Sequence, residues 1–190
     1  MSTINHLLWV DLETTGIVHI EDRILEVGCI LTAPDLTPLD NGEFQAVVDA
    51  RTDTEIATRL NATEKVVEMH RESGLLDAIQ EPTGVSIQDI EKSLISWMSS
   101  HQVVQNQVAL AGSGVGHFDQ LFISYWMPSL FSMFHYRTLD IGSVRSFHNM
   151  WIGTEVSNAN DGKTHRAMDD IQCSLKEATA FRDLWLDKLA

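Results

Sequence analysis

The stretch that most constrains this chain is residues 7–16, which read Leu-Leu-Trp-Val-Asp-Leu-Glu-Thr-Thr-Gly. Its apolar start predicts a buried β-strand, and because side chains alternate between the two faces of a strand, Asp11 and Glu13 would project from the same face. Two neighbouring carboxylates repel each other, and a divalent cation that prefers oxygen ligands, such as Mg²⁺ or Mn²⁺, would offset that repulsion. A strand that runs into an acidic turn explains the same residues, so a metal site requires further ligands from distant parts of the chain.

Chain length and charge limit the domain count and the partners. A chain of 190 residues can bury one substantial core, and we expect a single domain over residues 1–190. With 13 basic and 27 acidic residues, the formal net charge is −14, which argues against tight nonspecific binding to long nucleic acids. A carboxylate cluster is counted in this charge without the metals it holds, so the composition still permits a nuclease that grips a short substrate.

The sequence shows no pattern for membrane insertion or export. Its apolar runs are all shorter than the roughly 20 residues of a membrane span. Residues 1–6, Met-Ser-Thr-Ile-Asn-His, lack the basic and apolar regions of a signal peptide. The expected location is therefore the cytoplasm, with no membrane partner.

Hydrophobic patterning predicts a single α/β domain with a mixed sheet. Strands are expected at 24–32 and 44–48, and together with the first strand they suggest a meander. Ser86 followed by Asp89 resembles a capping box and predicts a helix to about residue 100. The other predicted elements are short helical pieces within 54–81, strands at 108–111 and 136–140, helices at 118–127, 141–151 and 165–188, and a loop at 152–163.

A mid-chain segment offers one further metal ligand. Residues 112–119 read Gly-Ser-Gly-Val-Gly-His-Phe-Asp and follow a short apolar strand. The glycines do not match the dinucleotide-binding or P-loop spacing, and no lysine follows them. A strand-to-helix turn that presents Asp119 is the simpler interpretation.

Residues 164–170, Thr-His-Arg-Ala-Met-Asp-Asp, place a histidine close to two more carboxylates. On a continuous helix, residues five apart point about 140° apart, so His165 would share a face with Asp169 and not with Asp170. If His165 lies on the loop before the helix, that restriction disappears. A solvated histidine beside an acidic first turn, which complements the helix dipole, explains the same residues without a site.

Taken together, these segments resemble the DEDDh 3′-to-5′ exonucleases. The matching residues are Asp11 and Glu13 after an apolar strand, Asp119 at a mid-chain turn, and His165 with Asp170 five residues later. Within that group the chain is similar to oligoribonucleases over residues 9–16 (WVDLETTG), 134–140 (FHYRTLD) and 164–171 (THRAMDDI). The resemblance covers most of the chain and implies a ribonuclease H-like fold, a mixed five-stranded sheet flanked by helices.

The resemblance also implies two-metal phosphodiester hydrolysis. Asp11, Glu13 and Asp170 would hold one Mg²⁺ or Mn²⁺, and Asp11 with Asp119, partly through water, would hold the second. One metal generates and aims hydroxide, and the pair stabilises charge on the attacking and leaving oxygens. His165 would take the proton from water, a role that suits imidazole and is typically worth about 10² to 10⁴ in rate. Family spacing selects Asp170 over Asp169 as the ligand.

Four more residues match substrate-binding positions of the family. Ile17 would wedge against a terminal base, and His70 would lie near the terminal phosphate. Tyr136 and Arg137 would close the other end of a very short oligonucleotide, with the tyrosine coming across a homodimer interface and the guanidinium donating to a phosphate. A core isoleucine and a solvated helix histidine explain Ile17 and His70 equally well.

The chain also departs from the oligoribonuclease pattern. A stacking tryptophan expected about five residues before His70 is replaced by Lys65 or Val66, the turn before Asp119 is longer, and Gly142 stands where a serine is expected. These changes leave the hydrolytic residues intact and weaken the case for strict dinucleotide preference.

We therefore expect a metal-dependent 3′-to-5′ exoribonuclease that degrades short single-stranded RNA to 5′-mononucleotides and forms a homodimer. A DEDDh exonuclease that trims single-stranded DNA 3′ ends would share every catalytic residue. From a different class, a noncatalytic nucleotide-binding module could retain the same fold.

Overall fold

The computed structural model describes residues 3–60, 64–153 and 164–189, and these form a sheet with helices on both faces. The strands are β1 (His6–Thr14), β2 (Ile24–Thr32), β3 (Pro38–Val47), β4 (Val108–Gly112) and β5 (Leu139–Asp140). The helices are α1 (Thr54–Leu60), α2 (Glu64–Glu72), α3 (Leu75–Ala78), α4 (Ile87–Ser100), α5 (Asp119–Trp126), α6 (Pro128–Phe131), α7 (Ile141–Trp151) and α8 (Ala167–Leu189).

The sheet has the order β3-β2-β1-β4-β5, with β1 at its centre. β1, β2 and β3 pair antiparallel as the predicted meander, whereas β1, β4 and β5 pair parallel. The predicted mixed five-stranded sheet is therefore confirmed. Since β4 pairs with β1 only as far as Trp9 and Ala111, the last residues of β1 extend beyond β4.

The two faces of β1 pack in different cores. Leu8, Val10 and Leu12 belong to the larger core, with side chains from α4 and α5. Leu7 and Trp9 belong to the smaller core, which α8 covers. By strand alternation, Asp11 and Glu13 continue the face of Leu7 and Trp9, so they point towards the side on which α8 lies.

Helix boundaries follow local sequence signals. Gly74, at φ +74°, follows α2 in the left-handed conformation that glycine adopts without steric cost. The Ser86 hydroxyl accepts a hydrogen bond from the Asp89 amide, which confirms it as the N-cap of α4. The predicted loop at 152–163 falls mostly on residues 154–163, which lie outside the described residues.

Two strands differ from their predicted extents. β3 begins at Pro38 instead of residue 44, and its first residues are mostly exposed because β3 is an edge strand. An exposed edge leaves no hydrophobic periodicity to detect. β5 is confined to Leu139–Asp140, so Tyr136 and Arg137, which the predicted strand included, precede it. Within the described ranges, no helix has both the length and the apolar character that crossing a bilayer demands.

Candidate active site

Glu13, His165 and Asp170 come together at the carboxyl end of β1. One ligand atom of each lies within 4.8 Å of the others. Glu13 and Asp170 are buried, whereas His165 is exposed. Carboxylate oxygens with one imidazole nitrogen are donors that suit a divalent cation, and the exposed imidazole leaves the cluster open to water on one side.

Asp119 contacts the backbone of the same strand end. It is buried at the start of α5, and its Oδ1 accepts a hydrogen bond of 3.0 Å from the Leu12 amide. That amide lies between Asp11 and Glu13, beyond the last residue pair of β1 and β4. The Asp119 carboxylate therefore lies against the backbone between Asp11 and Glu13, where β1 extends beyond β4.

His165 lies on the turn before α8 and not within the helix. α8 begins at Ala167, and His165 has φ +56°, a left-handed conformation that is uncommon for residues other than glycine. Its side chain is therefore free of the helical repeat, so sequence spacing alone does not decide which aspartate lies beside it. Asp170 joins the cluster with Glu13, whereas Asp169 is exposed and accepts a 2.6 Å hydrogen bond from the Thr164 hydroxyl.

Gly28 allows α8 to bring Asp170 to the cluster. It pairs with Asp11 in the β1–β2 register, and a Cβ at this position would lie 2.7 Å from the Ala167 Cβ and 3.0 Å from its carbonyl carbon. Only a residue without a side chain lets the first turn of α8 lie this close to β2. The role of Gly28 was not predicted, although a glycine within an apolar strand is itself a signal of close approach.

Glu26 is a second residue that the sequence analysis missed. It is fully buried in β2, and it accepts hydrogen bonds from the Arg166 guanidinium, the Ala167 amide and the Gln45 side chain. Burial alone would raise the pKa of Glu26, but these hydrogen bonds and the charge of Arg166 hold that pKa below its ordinary value. A charged residue inside a strand that is otherwise apolar was the available signal.

His70 lies behind the cluster with no exposed surface. Its Nε2 is 2.8 Å from the Thr14 carbonyl, which can only accept, so Nε2 carries the proton and donates. Its Nδ1 lies 3.8 Å from Glu13 Oε2. Burial lowers the pKa of His70; the Thr14 carbonyl opposes this effect, and the nearby His165 adds to it. The interpretation of His70 as a solvated helix histidine is therefore wrong, because it links α2 to the end of β1.

Ile17 is presented on the loop that follows β1. Its side chain is 82% exposed, so the alternative of a core isoleucine is wrong. Asp22 fixes this loop, since its carboxylate accepts hydrogen bonds from the Thr15 hydroxyl at 3.1 Å and the Val18 amide at 2.8 Å. A Cβ on Gly16 would lie 2.5 Å from that carboxylate, so a side chain there would displace the group that fixes the loop.

Tyr136 and Arg137 lie at the far edge of the sheet. They precede β5, which is separated from β1 by β4. Tyr136 is 78% exposed, its ring stacks on His135, and the Arg137 guanidinium lies 5.2 Å from the centre of the Tyr136 ring. Both side chains are accessible, and they lie apart from the Glu13, His165 and Asp170 cluster.

Comparison with known proteins gives a consistent result. The family model described as Exonuclease matches residues 8–178. The chain is 33% identical over 186 residues to the oligoribonuclease of Tropheryma whipplei, covering 97% of this chain and 95% of that protein. It is 32% identical over 179 residues to the oligoribonuclease of Klebsiella pneumoniae, covering 94% of each chain.

Solved structures share the fold at low sequence identity. E. coli Exonuclease I in complex with a dA16 oligonucleotide superposes with a TM-score of 0.67 at 15% identity, covering 94% of this chain and 41% of that one. Cell-death related nuclease 4 superposes with a TM-score of 0.69 at 15% identity, covering 95% of this chain and 64% of that one. These similarities confirm the ribonuclease H-like fold.

Proposed function

Because the chain belongs to the exonuclease family, as an oligoribonuclease-like member of the DEDDh 3′-to-5′ exonucleases, we propose that it hydrolyses short single-stranded RNA to 5′-mononucleotides. The observation that carries this proposal is the cluster of Glu13, His165 and Asp170 at the end of β1, with Asp119 bonded to the adjacent Leu12 amide. Relatives named oligoribonuclease, matched over nearly their whole length, support the substrate class.

The donor set fits two divalent metal ions, Mg²⁺ or Mn²⁺. Asp11, Glu13 and Asp170 would hold one ion, and Asp11 with Asp119 would hold the other. These are oxygen donors, with no thiolate among them, as hard cations require. When bound, the ions would lower the pKa of a coordinated water and stabilise charge on the attacking and leaving oxygens.

His165 would act as the general base. Its exposed side chain stands at the open side of the cluster, where it can accept a proton from water and pass it to solvent. Asp170 is oriented for its own role by the Thr164 amide, which donates to its Oδ1 at 3.1 Å. Asp170 is thus held by the backbone of the turn that carries the proposed base.

Removal of divalent metal should abolish turnover. With the protein dialysed against excess EDTA, we expect the hydrolysis rate of an RNA pentanucleotide to fall at least about 10³-fold, because the charge on the phosphate oxygens then has no counterion. Addition of Mn²⁺ or Mg²⁺ in excess of the chelator should restore the rate. Turnover in EDTA at the metal-loaded rate would contradict the metal mechanism.

The substrate would be gripped by exposed side chains more than by a basic surface. Ile17 would pack against a terminal base, and Tyr136 with Arg137 would contact the other end of the oligonucleotide. His70 has no exposed surface, so it would act on the substrate through Thr14 and Glu13 unless α2 moved. With Lys65 exposed on α2 where a stacking aromatic is expected, we propose a preference for short RNA that is not limited to dinucleotides.

A homodimer is part of this proposal. If Tyr136 reaches the partner's site, two copies must assemble, and the chain carries exposed apolar side chains suited to an interface. They lie at the ends of α7 and α8: Phe147, Met150, Trp151, Ile152, Trp185 and Leu186. We further propose that the enzyme works in the cytoplasm.

Matched RNA and DNA oligonucleotides test the substrate class. With Mn²⁺ present and lengths from two to about 20 nucleotides, we expect RNA to be cut faster than DNA of the same sequence. The rate should fall with length, since the net charge of −14 repels a long polyanion. Salt screens charge repulsion but not the fit of the substrate in the binding site, so rates measured at low and at high salt separate these two causes of length dependence. Faster cleavage of DNA would favour the DNA-trimming alternative.

A further inference from the structure

Glu26 occupies a position where a carboxylate is costly. It pairs directly with Glu13 across β1 and β2, so both side chains project from the same face of the sheet, and like charges placed opposite each other are destabilising. Glu26 is also 0% exposed. A buried carboxylate is stable only where charged and polar groups form hydrogen bonds with it, so these partners indicate which residues Glu26 positions.

Besides the Gln45 side chain, the partners of Glu26 are the two residues that follow His165. The Arg166 guanidinium donates to Glu26 through Nη2 at 2.7 Å to Oε1 and through Nε at 3.1 Å to Oε2. The Ala167 amide, at the start of α8, donates to Oε2 at 3.0 Å. Glu26 thereby forms a bidentate ion pair with Arg166, and its negative charge lies at the positive end of the α8 dipole.

The turn between these contacts is strained. His165 has φ +56°, and a left-handed residue other than glycine costs of order 1–3 kcal/mol unless its surroundings hold it there. On its amino-terminal side, the Thr164 amide is tied to Asp170. On its carboxyl-terminal side, Arg166 and Ala167 are tied to Glu26.

We propose that Glu26 and Arg166 are positioning residues that hold the His165 turn, and so set the imidazole against Glu13 and Asp170. This inference rests on the proposed role of His165 as general base. Neither side chain belongs to the Glu13, His165 and Asp170 cluster. The pair acts by fixing the backbone on one side of His165, and a misplacement of about 1 Å at such a group can cost on the order of 10² in rate.

A second buried ion pair in the same chain provides a matched control. Glu177 is buried in α8 and accepts from Arg145 of α7, with Nε at 2.6 Å from Oε1. It resembles Glu26 in residue type, burial and guanidinium partner, but it lies two helical turns beyond Asp170. Glu177→Gln therefore weakens a comparable ion pair on the same helix without loosening the His165 turn.

The test compares Glu26→Gln with Glu177→Gln. For each variant, kcat and KM are measured on an RNA pentanucleotide with saturating Mn²⁺, Mn²⁺ binding is measured by calorimetry without substrate, and stability is measured by thermal melting. We expect Glu26→Gln to lower kcat about 10²-fold while KM and the Mn²⁺ dissociation constant change less than about threefold. Glu177→Gln should keep kcat within about threefold at a similar loss of stability. Equal kcat losses in the two variants would overturn the proposal.

A double-mutant cycle shows whether Glu26 acts through His165. If it does, His165→Ala with Glu26→Gln should be only as slow as His165→Ala alone, within about threefold. If the factors by which the two substitutions lower kcat multiply in the double variant, Glu26 acts independently of His165 and the inference fails. Full activity of His165→Ala would refute the general base itself, which is a different failure.

If Glu26→Gln does not fold, Arg166→Lys is the second test, because lysine keeps the positive charge and removes the bidentate geometry. A loss of kcat of about 10-fold supports the proposal, and an unchanged kcat overturns it.

Discussion

Asp170→Asn should lower kcat for RNA hydrolysis at least about 10³-fold, equivalent to roughly 4 kcal/mol of lost transition-state stabilisation, while the protein stays folded. Asparagine keeps an oxygen that can accept from the Thr164 amide, so the hydrogen bond that orients the side chain is retained. What is lost is the negative charge beside Glu13, which the proposed metal requires. The measurement is kcat at saturating Mn²⁺, with circular dichroism melting to verify folding.

Asp169→Asn is the matched control for that experiment. It removes the same charge from the same first turn of α8, so both variants lose a similar interaction with the helix dipole. Asp169 is exposed and bonded to the Thr164 hydroxyl, outside the cluster that contains Asp170. We expect its kcat to fall less than about fivefold. A loss as large as that of Asp170→Asn would mean that Asp169 is the ligand, or that charge in the first turn matters more than coordination.

The parts of this site that the sequence predicts are those fixed by local geometry. Strand alternation is enough to place Asp11 and Glu13 on one face of β1, because a strand has a period of two residues. The turn that presents Asp119 follows from a short apolar strand that ends in glycines. The Asp169 and Asp170 alternatives could not be separated by the helical repeat alone, since the answer depends on the φ of His165.

The parts that the sequence did not reveal are contacts between distant segments. Arg166 and Glu26 are 140 positions apart, and neither residue type indicates its partner. The same holds for the turn before Asp119. Its Gly114 and Gly116 amides donate to the Asp140 carboxylate, which also accepts from the Ser143 amide at the start of α7. One carboxylate thus ties the glycine-containing turn to α7, which local patterning cannot show because it depends on which elements the fold brings together.

His70 illustrates a related limit. A histidine near the end of a short amphipathic helix is compatible with solvent or with the substrate, and the sequence left these two alternatives open. The structure places it against the Thr14 carbonyl, where it closes α2 over the end of β1. His70 is buried where it contacts Thr14 of β1, which lies 56 positions away in the sequence.

Gly28→Ala should disturb both stability and activity, because the added Cβ has no room. It would lie 2.7 Å from the Ala167 Cβ and 3.0 Å from the Ala167 carbonyl carbon, and backbone at that distance cannot move aside cheaply. Overpacking of this kind costs about 1–3 kcal/mol in the free energy of unfolding. The first turn of α8 carries Asp170, so its displacement from β2 should also lower kcat by on the order of 10²-fold.

A compensating substitution separates displacement of α8 from a general loss of stability. Ala167→Gly removes the Cβ that lies 2.7 Å away, and in the Gly28→Ala background it should recover at least about half of the lost unfolding free energy and most of the lost kcat. On its own, Ala167→Gly should cost no more than about 1 kcal/mol, as expected for glycine in a helix. Chemical denaturation and steady-state kinetics on the four proteins of this cycle measure both effects. If the double variant is as slow as Gly28→Ala, the close approach of α8 to β2 is not what places Asp170 beside Glu13.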